Sequence, residues 1–137
     1  MRRLMVMVLV AAGLLAAGCA STAPAPSPVA TSTAVRQLAP ADFAVAISGD
    51  RVTINVHIPE QGSLPNTDLT VPFDQIESRA AELPQDRDTP LAIYCMTGSM
   101  SQIAGQTLTD MGYRDVVELR GGMQAWRQSG LALLPAG

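Results

Sequence analysis

From Val35 onward the chain alternates short apolar runs with segments of helical spacing. The stretches "RVTINVHI", "PLAIYC" and "DVVEL" are β-branched and nearly continuous in apolar character, the pattern of strands covered on both faces. "VRQL" predicts a further short strand. Between these runs lie "PADFAVAI", with Pro40, Ala41 and Asp42 suited to a helix's first turn, and "PFDQIESRAAEL", which sets Phe73, Ile76, Ala80 and Leu83 at helical spacing before Pro84. "SMSQIAGQTLTDMG" predicts a helix with Ile103, Ala104, Leu108 and Met111 on one side and Gly112 as its stop. "GGMQAWRQSG" predicts a short helix bounded by glycines. The alternation predicts one α/β domain over residues 35–137, a mainly parallel central sheet with helices layered on it.

The first 34 residues follow neither period. Arg2 and Arg3 precede an uncharged apolar run from Leu4 to Ala17, then Gly18 and Cys19. A bilayer span needs about 20 apolar residues, so the shorter run predicts a signal peptide over residues 1–18. Its ending, "AAGC", resembles a bacterial lipobox, with Ala16 standing where that pattern prefers Leu. The resemblance implies cleavage before Cys19 and lipidation of Cys19, giving an exported lipoprotein anchored to a membrane of the cell envelope or periplasm. The alternative is an ordinary secretory signal with an incidental Cys19. "ASTAPAPSPVATSTA" has no charge and no large apolar residue to offset its ordering entropy, so residues 19–34 read as a disordered tether.

Charge and cysteine usage narrow the function. The chain carries no lysine, nine arginines and twelve acids; without Arg2 and Arg3 the balance falls from −3 to seven against twelve, or −5. No basic patch is interleaved with aromatics, so nucleic acid is not an expected partner. One cysteine and one histidine, with Cys19 lipidated, do not make a metal site, and no cofactor is expected. With Cys19 lipidated, Cys95 is the only free thiol of an exported protein, which calls for a chemical reason.

Cys95 ends the run "PLAIYC", and ligands of parallel sheets bind beyond the carboxyl ends of the strands. The following "MTGSM" is able to curl its backbone N–H groups inward, with Gly98 supplying conformations that other residues resist. A helix starting near Ser99 adds its positive end, so the site favours a thiolate or an anionic persulfide. "IYCMTGSMS" resembles the active-site loop of the rhodanese family. "RVTINVHIPEQGSLPNTDLTVPFDQI" resembles that family's preceding strand and its "GHIPGA"-type segment, and "GYRDVVELRGGMQAW" its C-terminal signature. The resemblance implies a rhodanese-like three-layer fold and a sulfurtransferase. Its Cys95 would take sulfane sulfur from a small donor, thiosulfate or a persulfide, and pass it to a thiol or cyanide-like acceptor. The amides of Met96, Thr97, Gly98, Ser99, Met100 and Ser101 would stabilise the charge, with the hydroxyls of Thr97, Ser99 and Ser101 as further donors.

Departures from the family pattern set the limits. Many active loops have arginine near the second or last position, where this chain has Met96 and Met100; weak thiosulfate binding, or a less charged donor, is the expectation. Asn55 and His57 stand where the family often has Asp and Arg, and His57 reads either as a proton-transfer group near the pocket or as a structural residue hydrogen-bonded at the strand end. A catalytically weak binding or redox-sensing module presenting Cys95 is the alternative to the enzyme. A cysteine phosphatase would need arginine at position 101, which is Ser, and a dithiol oxidoreductase a second cysteine at 98, which is Gly. Trp126 and Met100, Met111 and Met123 read as packing, Gly121–Gly122 as a tight turn near the pocket, and Asp86–Arg87–Asp88 as a solvated loop.

Overall fold

A computed structural model describes residues 34–136. The expected signal segment and Cys19 lie outside the described residues, as does all of the tether but Ala34. Five strands make one sheet: β1 (Arg36–Leu38), β2 (Val52–Asn55), β3 (Leu69–Thr70), β4 (Leu91–Tyr94) and β5 (Val116–Leu119). Their order is β1-β5-β4-β2-β3 and every pairing is parallel. The helices are α1 (Pro40–Ala46), α2 (Ser99–Asp110) and α3 (Gly122–Gln128).

β4 and β5 are buried at every position, as their unbroken apolar character requires of central strands. Successive side chains point to opposite faces and so divide the core in two. On one face Ile54, Ile93, Cys95 and Val116 pack with Ala104 and Leu108 of α2. On the other, Ala92, Tyr94, Val117 and Leu119 pack with Phe43 of α1 and with Met123 and Trp126 of α3. The predicted packing roles of Trp126 and Met123 are met in this second cluster, while Met100 and Met111 lie half-buried against the first.

Two elements differ from expectation. No α-helix forms over Pro72–Leu83: the segment is a series of turns ending in a short 3-10 helix, Ala80–Glu82. Its hydrogen bonds run mainly three residues apart, from Gln75 to Pro72, Ala80 to Glu77, Glu82 to Arg79 and Leu83 to Ala80. The spacing of Phe73, Ile76, Ala80 and Leu83 suits such turns nearly as well as it suits an α-helix, and Pro72 and Pro84 confine it. β3, of two residues, is too short to give a period of its own. The Asp86–Asp88 loop is exposed at both acids, but Arg87 is half-buried over the Tyr113 ring at 4.4 Å.

Asp115 gathers the amino ends of three strands. Arg51 Nη2 donates to both of its carboxylate oxygens at 3.0 and 2.7 Å, Arg36 Nη2 donates at 3.1 Å, and Arg51 Nη1 also reaches the Leu91 carbonyl at 3.1 Å. Partial burial raises the Asp115 carboxyl, but the hydrogen bonds from Arg51 and Arg36 outweigh it and hold the group below its ordinary range. A depressed carboxyl contributes stability above its unfolded value, about pH 4, and loses it as pH falls through the folded value. Asp115→Asn is therefore expected to lower the urea midpoint near neutrality, and the gap to the wild type should close below about pH 4. A gap that stays constant into acid would exclude the ion pair as its source.

Candidate active site

Cys95 follows directly on β4, where the sheet's central strand passes toward α2. Its side chain is only 1% exposed and lies on the α2 face of the sheet. The loop turns back at Gly98, whose φ of +105° lies in the region that favours glycine. This brings the Gly98 N–H to 3.0 Å from Sγ, with α2 starting at the next residue. Among the loop amides of the described residues, Gly98's alone donates to Sγ. The hydroxyls also separate: Ser101 Oγ lies 3.4 Å from Sγ, whereas Thr97 and Ser99 are exposed and pair with each other at 3.4 Å.

A second turn fixes the loop from the far side. Gly121 and Gly122 have φ of +74° and +60°, and α3 begins there. Its first amides, Met123 and Gln124, donate to the carbonyls of Cys95 and Met96 at 2.8 and 3.0 Å. A Cβ at Gly122 would stand 2.4 Å from the Cys95 carbonyl oxygen and 2.5 Å from the Met96 carbonyl carbon, so the close approach needs glycine.

The two methionines are placed as packing groups. Both are half-buried, Met100 against the α2-side core and Met96 against the α3-side core, so neither position offers a cation to an anionic ligand. No arginine hydrogen-bonds to any residue of the 95–101 loop among the described residues.

Ser101 Oγ donates at 2.6 Å to Oε1 of Glu118, and Glu118 Oε2 accepts Gln37 Nε2–H at 3.0 Å. Glu118 is 1% exposed and forms no salt bridge among the described residues. Sequence reading missed it as a site residue, although an acid inside the apolar run "DVVEL" is the signal of a buried charge with a task. The two hydrogen bonds, 3.4 and 2.6 Å, put its carboxylate oxygen within about 6 Å of Sγ. At an effective dielectric of about 20, two negative charges at that separation repel by about 3 kcal/mol. The positive end of α2 offers up to about 2 kcal/mol in a buried setting. The Gly98 amide and the positive end of α2 favour charge on sulfur, and the Glu118 carboxylate, one hydroxyl away, opposes it.

Asn55 and His57 have parted roles. Asn55 is buried, its Nδ2 donating to the Gly62 carbonyl at 3.1 Å and its Oδ1 accepting the His57 amide at 3.0 Å, so it shapes the loop after β2. The His57 ring is buried too, but neither ring nitrogen has a hydrogen-bond partner among the described residues, contrary to the hydrogen-bonded structural role considered for it. Tyr94, beside Cys95, has its hydroxyl engaged by Thr67 and the Leu64 amide; burial outweighs these bonds, pushes the phenol above its ordinary range and keeps it neutral.

The family model for the rhodanese-like domain matches residues 50–129. The chain belongs to the rhodanese-like family. Among its relatives is a sulfurtransferase of Allochromatium vinosum, 36% identical over 93 residues that span 66% of this chain and 84% of the relative. A rhodanese-related protein from Thermoplasma volcanium shares the fold with a TM-score of 0.62 at 25% identity, over 72% of this chain and 97% of that one. The rhodanese-like domain of an Anabaena protein superposes with a TM-score of 0.65 at 16% identity, over 75% and 81%. The fold is the rhodanese-like one, a parallel five-stranded sheet flanked by three helices, and sulfurtransferases are among its relatives.

Gly122 supplies a test of how the rhodanese loop is held. Gly130 also has a positive φ, +78°, but a Cβ there meets nothing within 4 Å. Gly130→Ala should lose only the left-handed backbone preference, about 1 kcal/mol. Gly122→Ala should lose at least about 2 kcal/mol more, because Cβ and the Cys95 and Met96 carbonyls cannot occupy the same space. Equal losses in urea titrations would refute the close approach.

Proposed function

We propose that this rhodanese-like domain is a sulfurtransferase in which Cys95 takes the outer sulfur of a persulfide, holds it as a cysteine persulfide and passes it to a thiol acceptor. The observation that carries the reading is Sγ at the carboxyl end of the central strand, with the Gly98 amide donating to it at 3.0 Å. That amide and the positive end of α2 support charge on sulfur during attack and during transfer. The family membership and the sulfurtransferase relative support the reaction class.

The same site argues against thiosulfate as the preferred donor. A dianion needs cations, yet the two positions where arginine often stands hold half-buried methionines, and the buried Glu118 carboxylate repels it. A persulfide donor is smaller in charge and fits an apolar loop. The Met96 and Met100 substitutions equally favour a second reading, a weak module whose Cys95 senses oxidants, and turnover separates the two. In steady-state assays the persulfide of a small thiol should exceed thiosulfate in kcat/KM by roughly tenfold or more, since each lost charge-assisted hydrogen bond is worth about 1.4 kcal/mol or more. Cys95→Ser should abolish both activities. A preference for thiosulfate would overturn the donor assignment, and activity surviving in Cys95→Ser would overturn the nucleophile.

The proposed place of action is the surface of a membrane in the cell envelope, through a lipid on Cys19. The support is the charged, apolar and small-residue order of residues 1–19 followed by an uncharged Pro-rich stretch. Cys19→Ala expressed from the full chain should move the protein from the membrane to the soluble fraction. Unchanged membrane association of that variant would refute the anchor.

A further inference from the structure

Glu118 is a buried acid that the sulfur chemistry above leaves unused. It sits on β5 with its carboxylate against Ser101, and its partners, Ser101 and Gln37, are both neutral. A purely structural acid tying β1, β5 and α2 together would explain its burial. It does not explain why the hydroxyl it holds is the one beside the reactive sulfur.

The direction of the hydrogen bonds decides. Ser101 has one hydroxyl proton and three neighbours within reach: Glu118 Oε1 at 2.6 Å, the Gly98 carbonyl at 3.1 Å and Cys95 Sγ at 3.4 Å. The carboxylate is the closest and the only charged acceptor, so it takes that proton. The serine oxygen then faces sulfur with a lone pair, and the thiol S–H is the donor to it. The Gly98 amide already supplies sulfur with its other hydrogen bond. The result is an oriented chain, thiol to hydroxyl to carboxylate. No other acid, histidine or arginine of the described residues hydrogen-bonds to Sγ, Ser101 or Glu118.

We propose that Glu118 accepts the proton of Cys95 through Ser101 as the thiol attacks its donor. The proposal rests on the reading of Cys95 as the nucleophile. The Cys95 proton passes to Ser101 Oγ while the Ser101 proton passes to Glu118 Oε1, leaving a thiolate and a carboxylic acid. The sulfur's electron pair then forms a bond to the outer sulfur of a persulfide R–S–SH and the donor's S–S bond breaks. Cys95 becomes Cys–S–SH, and R–S⁻ departs and is protonated to a thiol. The proton on Glu118 leaves through an open cleft of about 310 Å³ lined by Gln37, Gln102, Gln106, Thr109 and Glu118 itself. The pair thus carries one negative charge throughout, on oxygen before attack and on sulfur during it, and the repulsion between them is avoided. Glu118 is in this scheme a positioning and proton-accepting residue that never touches the donor.

Alkylation of Cys95 by iodoacetamide tests the relay without any sulfur donor, so its outcome is separate from whether the protein transfers sulfur, which the persulfide assay decides. Glu118→Gln keeps the shape and, with its oxygen toward Ser101, that hydrogen bond, while the Gln37 amide turns its oxygen to accept the new N–H; it cannot take a proton. It should alkylate more slowly than wild type near neutrality, by about a hundredfold, the usual size of a lost general base, and converge on wild type well above the ordinary thiol range of about 8.5. Ser101→Ala should behave alike, and the double variant no worse than either, because both lie on one path. The carboxylate's field and its basicity act in opposite directions, so the sign is decisive. Alkylation of Glu118→Gln as fast as or faster than wild type near neutrality overturns the relay. So does a slow rate at every pH, which would mark a structural role.

Discussion

Everything at this site depends on two backbone hydrogen bonds between segments far apart in the chain. The carbonyls of Cys95 and Met96 accept the amides of Met123 and Gln124, which is possible only because Gly122 presents no Cβ to them. The contact joins the end of β4 to the start of α3 and leaves the reactive loop clamped between two helix N-termini. Free to move, a loop of small residues would lose the single amide it aims at sulfur, because one hydrogen bond holds little against chain entropy. Clamped, it keeps the Gly98 amide at 3.0 Å from Sγ.

The electrostatics of the site follow from what the loop lacks. A loop with guanidinium groups would stabilise anionic sulfur by pairing and would take an anionic donor with it. This loop packs methionines into both halves of the core and keeps a buried carboxylate one hydroxyl away from the thiol. It therefore handles negative charge by moving a proton instead of by supplying a cation. That arrangement suits a donor and acceptor that are themselves thiols or persulfides, whose charge is small and whose leaving groups need protons.

The sheet was legible in the sequence because its central strands are buried on both faces and so read as unbroken apolar runs. α2 was legible from the spacing of Ala104, Leu108 and Met111, although Ile103, expected on the same side, is exposed, and the position of Cys95 from the rule that ligands gather at the carboxyl ends of parallel strands. The stretch from Pro72 to Leu83 misled because three-residue turns and α-helices place apolar side chains at nearly the same intervals. β3 is too short for any period. Of the loop's amides and hydroxyls, sequence put six residues on an equal footing, whereas the structure aims only the Gly98 amide and the Ser101 hydroxyl at sulfur. Glu118 was hidden for a different reason: its partners Ser101 and Gln37 are 17 and 81 residues away, and only the parallel pairing of β1 with β5 and the packing of α2 bring them together.

Whether Cys95 carries sulfur is read from the intact mass of the protein after exposure to a small-thiol persulfide, with reductant added afterwards as the reversal. The wild-type protein should gain one sulfur atom and lose it to the reductant, and Cys95→Ser should gain none. No gain in the wild type, or an equal gain in Cys95→Ser, would rule out Cys95 as the sulfur carrier.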